Sequence, residues 1–301
     1  MDTIRSLQYF VRAVELGSLS AAARAEGTTQ PTVSKVIAAL EREVGARLLE
    51  RSTTHLAPTV EGRRFHERAR SLLAEFDAAI TEARGGGAAL RGLLRVSAPV
   101  ALGQFRLNAL VLDFLALHPG IEFELILNDR MVDLVEEGVD VAVRLGGDLP
   151  QDAVARKVAV SARQLVAAPA YLARHPPLDM PRQLAQHDYV RFAWLPAGDA
   201  ITLNDGTSTI TETAKSRYRV NNALAIRDSL ALGAGIGLCP EWLVGDLLAA
   251  GTLRRVLPAW QGVPQAVHLL AGRHRSARAR AFMAFMEAQL PALPGFGAGD
   301  A

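Results

Sequence analysis

Apolar positions at the start of the chain recur at helical spacing. Ile4, Leu7, Phe10/Val11 and Val14 share one face of a predicted helix that Gly17 ends. Ser18 is placed to cap a second, short helix through Ala21-Ala22-Ala23-Arg24-Ala25, and Gly27 breaks it. Thr29, with Pro31 in the first turn, opens a third helix whose buried face is Val33, Val36, Ile37 and Leu40, with Gly45 just past its end. This pair of helices meets the demands of a helix-turn-helix: small Ala23 at the closest approach, permissive Gly27 four residues later, then Val33 and Val36 facing back. An ordinary helical hairpin satisfies the same positions. The next segment favours the first reading, because Leu48–Pro58 has two short apolar ends around a polar tip. That is the pattern of a β-hairpin wing carrying Arg51, Thr53, Thr54 and His55 toward a phosphate backbone.

Thr59 then caps a long helix reaching about Arg84. Its apolar positions Phe65, Ala69, Leu72, Phe76, Ala79 and Ala83 are spaced 4-3-4-3-4, a heptad seam suited to a two-stranded coiled coil. The alternative is a helix packed on its own domain. At 1.5 Å per residue the helix would extend roughly 39 Å, longer than so small a unit covers, which favours dimerisation. Arg84-Gly85-Gly86-Gly87-Ala88 cannot continue a helix and reads as a hinge. Beyond it, strands and helices alternate. Leu93–Ser97, Ile121–Leu127 and Val139–Arg144 read as strands, and Gln104–Leu117 and Met131–Glu137 as the helices between them. A second set runs from about Gln164 to Gln265, with strand Asp188–Phe192, a helix from Asn222 to about Leu232 and strand Gly235–Leu238. Val267–Leu290 returns to complete the first lobe.

Composition narrows the class without naming a partner. Half of the 301 residues are hydrophobic and 21% are charged, the balance of a globular chain. No apolar run approaches the roughly 20 residues of a bilayer span, and the first residues lack the basic and apolar regions of an export signal, so a cytoplasmic protein without a membrane partner is expected. The single cysteine, Cys239, excludes an intrachain disulfide framework and a thiolate zinc site; between Leu238 and Pro240 it reads as a buried apolar residue. Net charge is only +2, although Thr28–Arg70 holds eight Lys or Arg against five Asp or Glu.

Three runs carry a resemblance to a known family: Ser18-Leu19-Ser20-Ala21-Ala22-Ala23, Thr29-Gln30-Pro31-Thr32-Val33-Ser34-Lys35, and Leu40-Glu41-Arg42-Glu43-Val44-Gly45-Ala46-Arg47-Leu48-Leu49-Glu50-Arg51. With Pro58-Thr59-Val60-Glu61-Gly62 and the domain order, they resemble the LysR-type transcriptional regulators over the whole chain. Two departures are small: the family usually has Phe where Leu49 stands, and a second basic residue where His55 stands, so a neutral His55 weakens the wing's phosphate contacts. The resemblance implies an α/β chain in three parts. A winged helix-turn-helix DNA-binding domain occupies 1–58, and a dimerisation helix with its glycine hinge 59–87. A two-lobed, doubly wound effector domain like the periplasmic solute-binding proteins fills 88–301, with lobe I about 91–162 and 266–301 and lobe II about 163–265. It also implies DNA contacts from Thr29, Gln30, Pro31, Ser34 and Lys35, with Arg51 and Thr53 in the wing.

Side-chain chemistry points the same way. A recognition helix needs short polar or forked side chains near its N-terminus to reach base edges. Gln30, Thr32, Ser34 and Lys35 supply them, Gln30 suited to adenine and Lys35 to guanine or phosphate. In the later domain, ligands of doubly wound folds bind beyond the carboxyl ends of the strands, where helix N-termini point free N–H groups. Ser97-Ala98-Pro99-Val100, Arg144 and Asn221-Asn222 fall there, and Trp194 is a candidate wall. A small organic anion or polar aromatic effector is expected, with Arg144 forking onto a carboxylate. Arg144 also reads as a structural ion pair between lobes, Ser97 and Asn222 as helix caps, and Trp194 as core.

Other chemistry has no sequence support. There is no phosphate-binding glycine-rich loop with its Lys, no nucleophile elbow and no paired-His metal motif, and no cofactor or metal is expected. Gly233-Ala234-Gly235-Ile236-Gly237 precedes a strand instead of following one, so it reads as a helix stop and turn. Arg273, His274, Arg275, Arg278 and Arg280 read as a solvated basic face. The expected partners are a double-stranded DNA operator with dyad half-sites, a small effector, a second copy of the chain in a dimer or dimer of dimers, and RNA polymerase at the promoter. The rival readings are a freestanding solute-binding protein and a DNA-tethered enzyme.

Overall fold

The computed structural model describes residues 2–51, 56–83, 90–130, 134, 137–146, 154–194, 197–272 and 275–299. It divides into two compact units. One comprises Met1–Leu90 with Asp133–Asp140 and His274–Arg280; the other comprises Arg91–Val132, Val141–Arg273 and Ala281–Ala301.

The first unit is built from α1 (Thr3–Glu15), α2 (Leu19–Ala25), α3 (Gln30–Val44), the hairpin β1 (Leu49–Arg51) and β2 (Leu56–Pro58), and α4 (Val60–Ala83). Ser18 caps α2 by accepting from the Ala21 N–H at 3.2 Å. Gly27 and Gly45 adopt the positive φ values, 62° and 74°, that their turns require. Phe10, Ala22, Val33 and Ile37 are completely buried and Leu40 nearly so, which makes one core from the apolar stripes of three helices. Thr29 stands at the N-cap of α3 but supplies no side-chain cap; its hydroxyl pairs with that of Thr32 at 2.8 Å. The hairpin pairs antiparallel, Leu49 opposite Pro58 and Arg51 opposite Leu56.

The second unit begins with β3 (Gly92–Ala98), a helix α5 (Val100–Leu117), β4 (Ile121–Leu127) and β5 (Val141–Leu145). α5 starts at Val100, four residues before the position expected from periodicity, and contains one π-turn at Gly103–Leu107. By length and composition it is long and apolar enough to cross a membrane. However, it carries Arg106 and Asp113, and its Leu107, Leu110 and Phe114 are buried. Strand β6 (Val154–Ala167) leads to the short helix α6 (Pro169–Leu172), a 3-10 turn at Pro181–Gln186 and β7 (Asp188–Phe192). The hairpin β8 (Ala200–Asn204) and β9 (Thr209–Thr213) follows, then β10 (Lys215–Val220), α7 (Ala223–Ala231), β11 (Ile236–Pro240), α8 (Glu241–Ala249), β12 (Arg254–Arg255), β13 (Gln261–Ala271), α9 (Ala277–Gln289) and β14 (Gly297–Ala298). The helix expected at Met131–Glu137 and the glycine hinge fall largely or wholly outside the described residues.

Two lobes arise from strand order. β4, β3 and β5 run parallel and join β13, while β10, β7 and β11 run parallel and join β6. β6 and β13 are antiparallel partners long enough to serve both lobes. The far end of β6, Arg163–Ala167, pairs with β11, while Val154–Ser161 pairs with β13, whose own Val267–Leu270 pairs with β5. Lobe I packs α5 and α9 through Phe114 and Phe282, whose ring centres lie 5.2 Å apart. Cys239 is buried on β11, and burial pushes its thiol pKa up to about 12. Past α7, Gly233 takes the positive φ (78°) of a helix stop and turn, and Gly235 lies so close to the Asp188 carbonyl that a Cβ would sit 2.5 Å from its oxygen, just before β11.

Candidate nucleic-acid interface and interlobe cleft

The buried residues of α3 lie on one side, so the remaining positions of its first turns must face out. Thr29, Gln30, Pro31, Thr32 and Lys35 are exposed, and Ser34 is half-buried. Arg51 ends β1. Thr53, Thr54 and His55 lie outside the described residues. The wing is fixed to the recognition helix by one carboxylate: Glu41 Oε1 on α3 accepts from the N–H groups of Leu48 (2.9 Å) and Leu49 (3.1 Å). Thr59 ties the wing to α4. Its N–H donates to the Leu48 carbonyl at 3.0 Å, and its hydroxyl donates to the Arg47 carbonyl at 2.8 Å while accepting from the Gly62 N–H at 2.9 Å. Recognition helix, wing and long helix are therefore positioned together.

The heptad seam divides. Phe65 and Ala69 pack on the core of their own unit, Phe65 edge-on to Phe10, whereas Leu72 and Phe76 are 49% and 42% exposed. Nothing is described of the side chains of Ala79 and Ala83.

In doubly wound sheets ligands bind beyond the carboxyl ends of the parallel strands, which is where the candidate effector residues are expected. Ser97 and Ala98 close β3 and are fully buried, and Pro99 and Val100 are half-buried. Arg144, on β5, is 6% exposed; its Nη2 donates to Ser97 Oγ at 3.0 Å and its Nη1 to the Val143 carbonyl at 2.7 Å. The structure thus brings Ser97 and Arg144 together in lobe I, both side chains largely buried. Asn222 caps α7, its Oδ1 accepting from the Ala225 N–H at 3.1 Å, and Asn221 is exposed beside it. Trp194, just past β7, is 51% exposed and stands edge-on to Phe192, 5.7 Å between centres, so it is not core.

Sequence reading missed the residues that join these elements across the cleft. Asp129 lies two residues beyond β4, the same kind of position as Ser97–Val100, and that placement was the available signal. Its Oδ1 accepts from the Val100 N–H at 3.0 Å, and its Oδ2 from Asn222 Nδ2 at 3.3 Å. Pro99 cannot cap α5 with its side chain, so Asp129 does so. Arg106, in the π-turn, reaches the Trp242 carbonyl of lobe II with Nη2 at 2.8 Å, and burial lowers its pKa against a weaker opposing pull from Asp246. The Arg227 guanidinium lies 5.1 Å over the Phe105 ring and binds Asp246 through both nitrogens, holding that carboxyl below its usual range.

In the basic run near the end Arg280 is exposed, as a solvated face requires, but Arg278 is not. Arg278 is largely buried and paired with Asp140 at 3.9 Å, and burial lowers its pKa. Arg280 donates to the Arg275 carbonyl at 2.6 Å. Arg273 and His274 lie outside the described residues.

Comparison with known proteins matches two family models to separate parts of the chain. Residues 4–63 match the model of the bacterial regulatory helix-turn-helix proteins of the lysR family, and residues 87–291 that of the LysR substrate binding domain. The chain is 30% identical over 299 residues to the protein named probable HTH-type transcriptional regulator LtrA of Klebsiella pneumoniae, covering 97% of this chain and 96% of that one. It is 29% identical over 282 residues to the HTH-type transcriptional regulator PtxR of Pseudomonas aeruginosa, covering 93% and 90%. Among solved structures it is similar to the full-length Vibrio cholerae virulence activator AphB, a member of the LTTR protein family, at 27% identity with a TM-score of 0.58, covering 96% of this chain and 99% of that one.

Proposed function

The chain belongs to the LysR family of helix-turn-helix transcriptional regulators, and from that membership we propose that it binds a dyad operator as a dimer or dimer of dimers under the control of a small organic anion or polar aromatic effector. The observation that carries this reading is the exposed polar turn of α3. Thr29, Gln30, Pro31, Thr32 and Lys35 stand above a buried row of Val33, Ile37 and Leu40, as a helix entering a major groove requires. Gln30 and Lys35 read base edges with Thr32 and Ser34 beside them, and Arg51, Thr53, Thr54 and His55 take the phosphates. The effector contacts Ser97–Val100, Arg144, Asn221, Asn222 and Trp194, and its binding shifts lobe geometry and hence the spacing of two bound half-sites. The protein acts in the cytoplasm, without catalysis of its own, on the access of RNA polymerase to a promoter.

Footprinting of the full-length protein on the DNA flanking its own gene tests this, with a salt series and competitor DNA. The expected result is a protected dyad of two half-sites that survives competitor. Protection that is diffuse and vanishes with competitor, there and on a pool of genomic fragments, overturns it.

A further inference from the structure

The carboxylate of Asp129 does two things at once. It caps the N-terminus of the 18-residue helix α5 in lobe I, and it accepts the free amide nitrogen of the residue that caps α7 in lobe II. Asn222 has only one orientation that permits both of its own bonds, Oδ1 toward Ala225 and Nδ2 toward Asp129. A negative group thus lies where the positive ends of two helices converge, each lobe supplying one donor. The other interlobe contacts described, Arg106 with the Trp242 carbonyl and Arg227 with Phe105, place no carboxylate at a helix terminus.

We propose that Asp129 is an intramolecular latch between the lobes, and that the anionic group of an effector acts by taking its place. This rests on the reading above that an anionic effector enters between the lobes. A second carboxylate at this point meets like charge unless Asp129 withdraws, so anion binding and latch release are one event. The bond to Asn222 then passes from a group covalently fixed to lobe I to one that is not. The orientation of the lobes thereby becomes sensitive to the occupant.

The test exchanges donor and acceptor. Asp129→Asn retains an acceptor for the Val100 N–H but turns an amide N–H toward Asn222. Asn222→Asp retains the cap on Ala225 but sets two carboxylates face to face. Made together, the two substitutions restore the bond with its polarity reversed. Lobe separation is read by electron-electron spin distances between labels at Ala116→Cys on α5 and Ala249→Cys on α8, both exposed, in full-length protein with Cys239→Ala and diluted with unlabelled chains. Each single variant is expected to shift the distribution to longer distance and the pair to return it to that of the parent. In Asp129→Ala, formate, which supplies the missing carboxylate, is expected to shorten the distance where chloride at equal ionic strength does not. Single variants with the parental distance, a pair no closer to it than the singles, or formate without effect on Asp129→Ala would each overturn the proposal. Circular dichroism melts confirm that every variant compared is folded. No readout involves DNA or the natural effector, so failure of the operator experiment and failure of the latch remain separate results.

Discussion

Gly62 and Leu48 approach so closely that the carbonyl oxygen of Leu48 occupies the space a Cβ on residue 62 would need. The contact lies between the first turn of α4 and the base of the wing, beside the Thr59 hydrogen bonds to the Arg47 and Leu48 carbonyls. The reason for glycine here is steric, since Gly62 is not among the glycines with positive φ.

Gly62→Ala therefore pushes the wing away from α4, because backbone cannot swing aside as a side chain does. Overpacking of this kind costs about 1–3 kcal/mol. Denaturant unfolding of the full chain is expected to show that loss, and operator binding to weaken with it because the wing changes position. A stability equal to the parent's would mean that the wing base yields freely.

Gln30 and Arg51 should divide affinity from specificity. Gln30→Ala is expected to relax preference at one base pair, losing about 1–3 kcal/mol of discrimination while binding to random DNA stays near normal. Arg51→Ala is expected to weaken binding to all sequences and to reduce the slope of log affinity against log salt by about one contact. Equal loss of both properties in both variants would contradict this division.

The pH dependence of stability can be argued from His187. Its Nδ1 lies 3.2 Å from the Tyr171 hydroxyl, which accepts the Asp188 N–H at 3.0 Å and has a proton of its own to donate to the Nδ1 of a neutral imidazole. Burial, reinforced by nearby His175 and opposed by Asp188, lowers the His187 pKa. The sign follows. In the unfolded chain the group takes up a proton near its ordinary value of about 6.5, before it does so in the fold. Its contribution is complete above that pH and is lost as pH falls through it toward the depressed native value. His268 shifts in the same direction, mainly through burial. Unfolding free energies measured from pH 8 to 5 should fall over that window, and His187→Asn, which keeps an acceptor for Tyr171, should flatten the slope. An unchanged slope would remove His187 from the account.

Much of this is legible in the sequence. Strands Ile121–Leu127 and Asp188–Phe192 have the bounds their apolar patterns predict, and Ser18, Gly27 and Gly45 fill the capping and turn positions assigned to them. Other features were hidden for physical reasons. β6 alternates poorly, since Arg156, Lys157 and Arg163 sit among its apolar residues, and one strand serving two lobes has no single buried face. β13 begins at Gln261 and passes through Pro264, where the register shifts, so its first half does not read as strand. α5 begins early because its cap comes from Asp129, 29 positions along the chain from Val100. The partnership of Asp129 with Asn222 spans 93 positions and leaves no local pattern.

Cys239 should behave as an apolar residue. With its thiol buried and its pKa near 12, almost no thiolate exists at neutral pH. A disulfide reagent is expected to titrate no thiol in the native chain and one per chain in denaturant, and peroxide should leave operator binding unchanged. Rapid native reaction would show that β11 opens.

The division of the α4 seam makes the sharpest prediction about assembly. Phe65 stands edge-on to Phe10, ring centres 5.5 Å apart, and Ala69 is buried in the same core, so the first part of the seam serves the fold of its own unit. Leu72 and Phe76, one and two turns past Ala69, keep the heptad phase but find little cover within the chain. Exposed apolar residues held at that spacing on one helix face are what a second copy of α4 would bury. Phe65→Ala should cost about 3 kcal/mol of stability, near the lower end for a buried Phe, with association preserved wherever the chain is folded. Leu72→Glu with Phe76→Glu should do the reverse, placing like charges in the seam and shifting sedimentation from dimer toward monomer while the melting of the helix-turn-helix unit stays near parental. Because two half-sites are held only by two joined chains, operator affinity should fall with dimerisation in the second case, and with folding in the first.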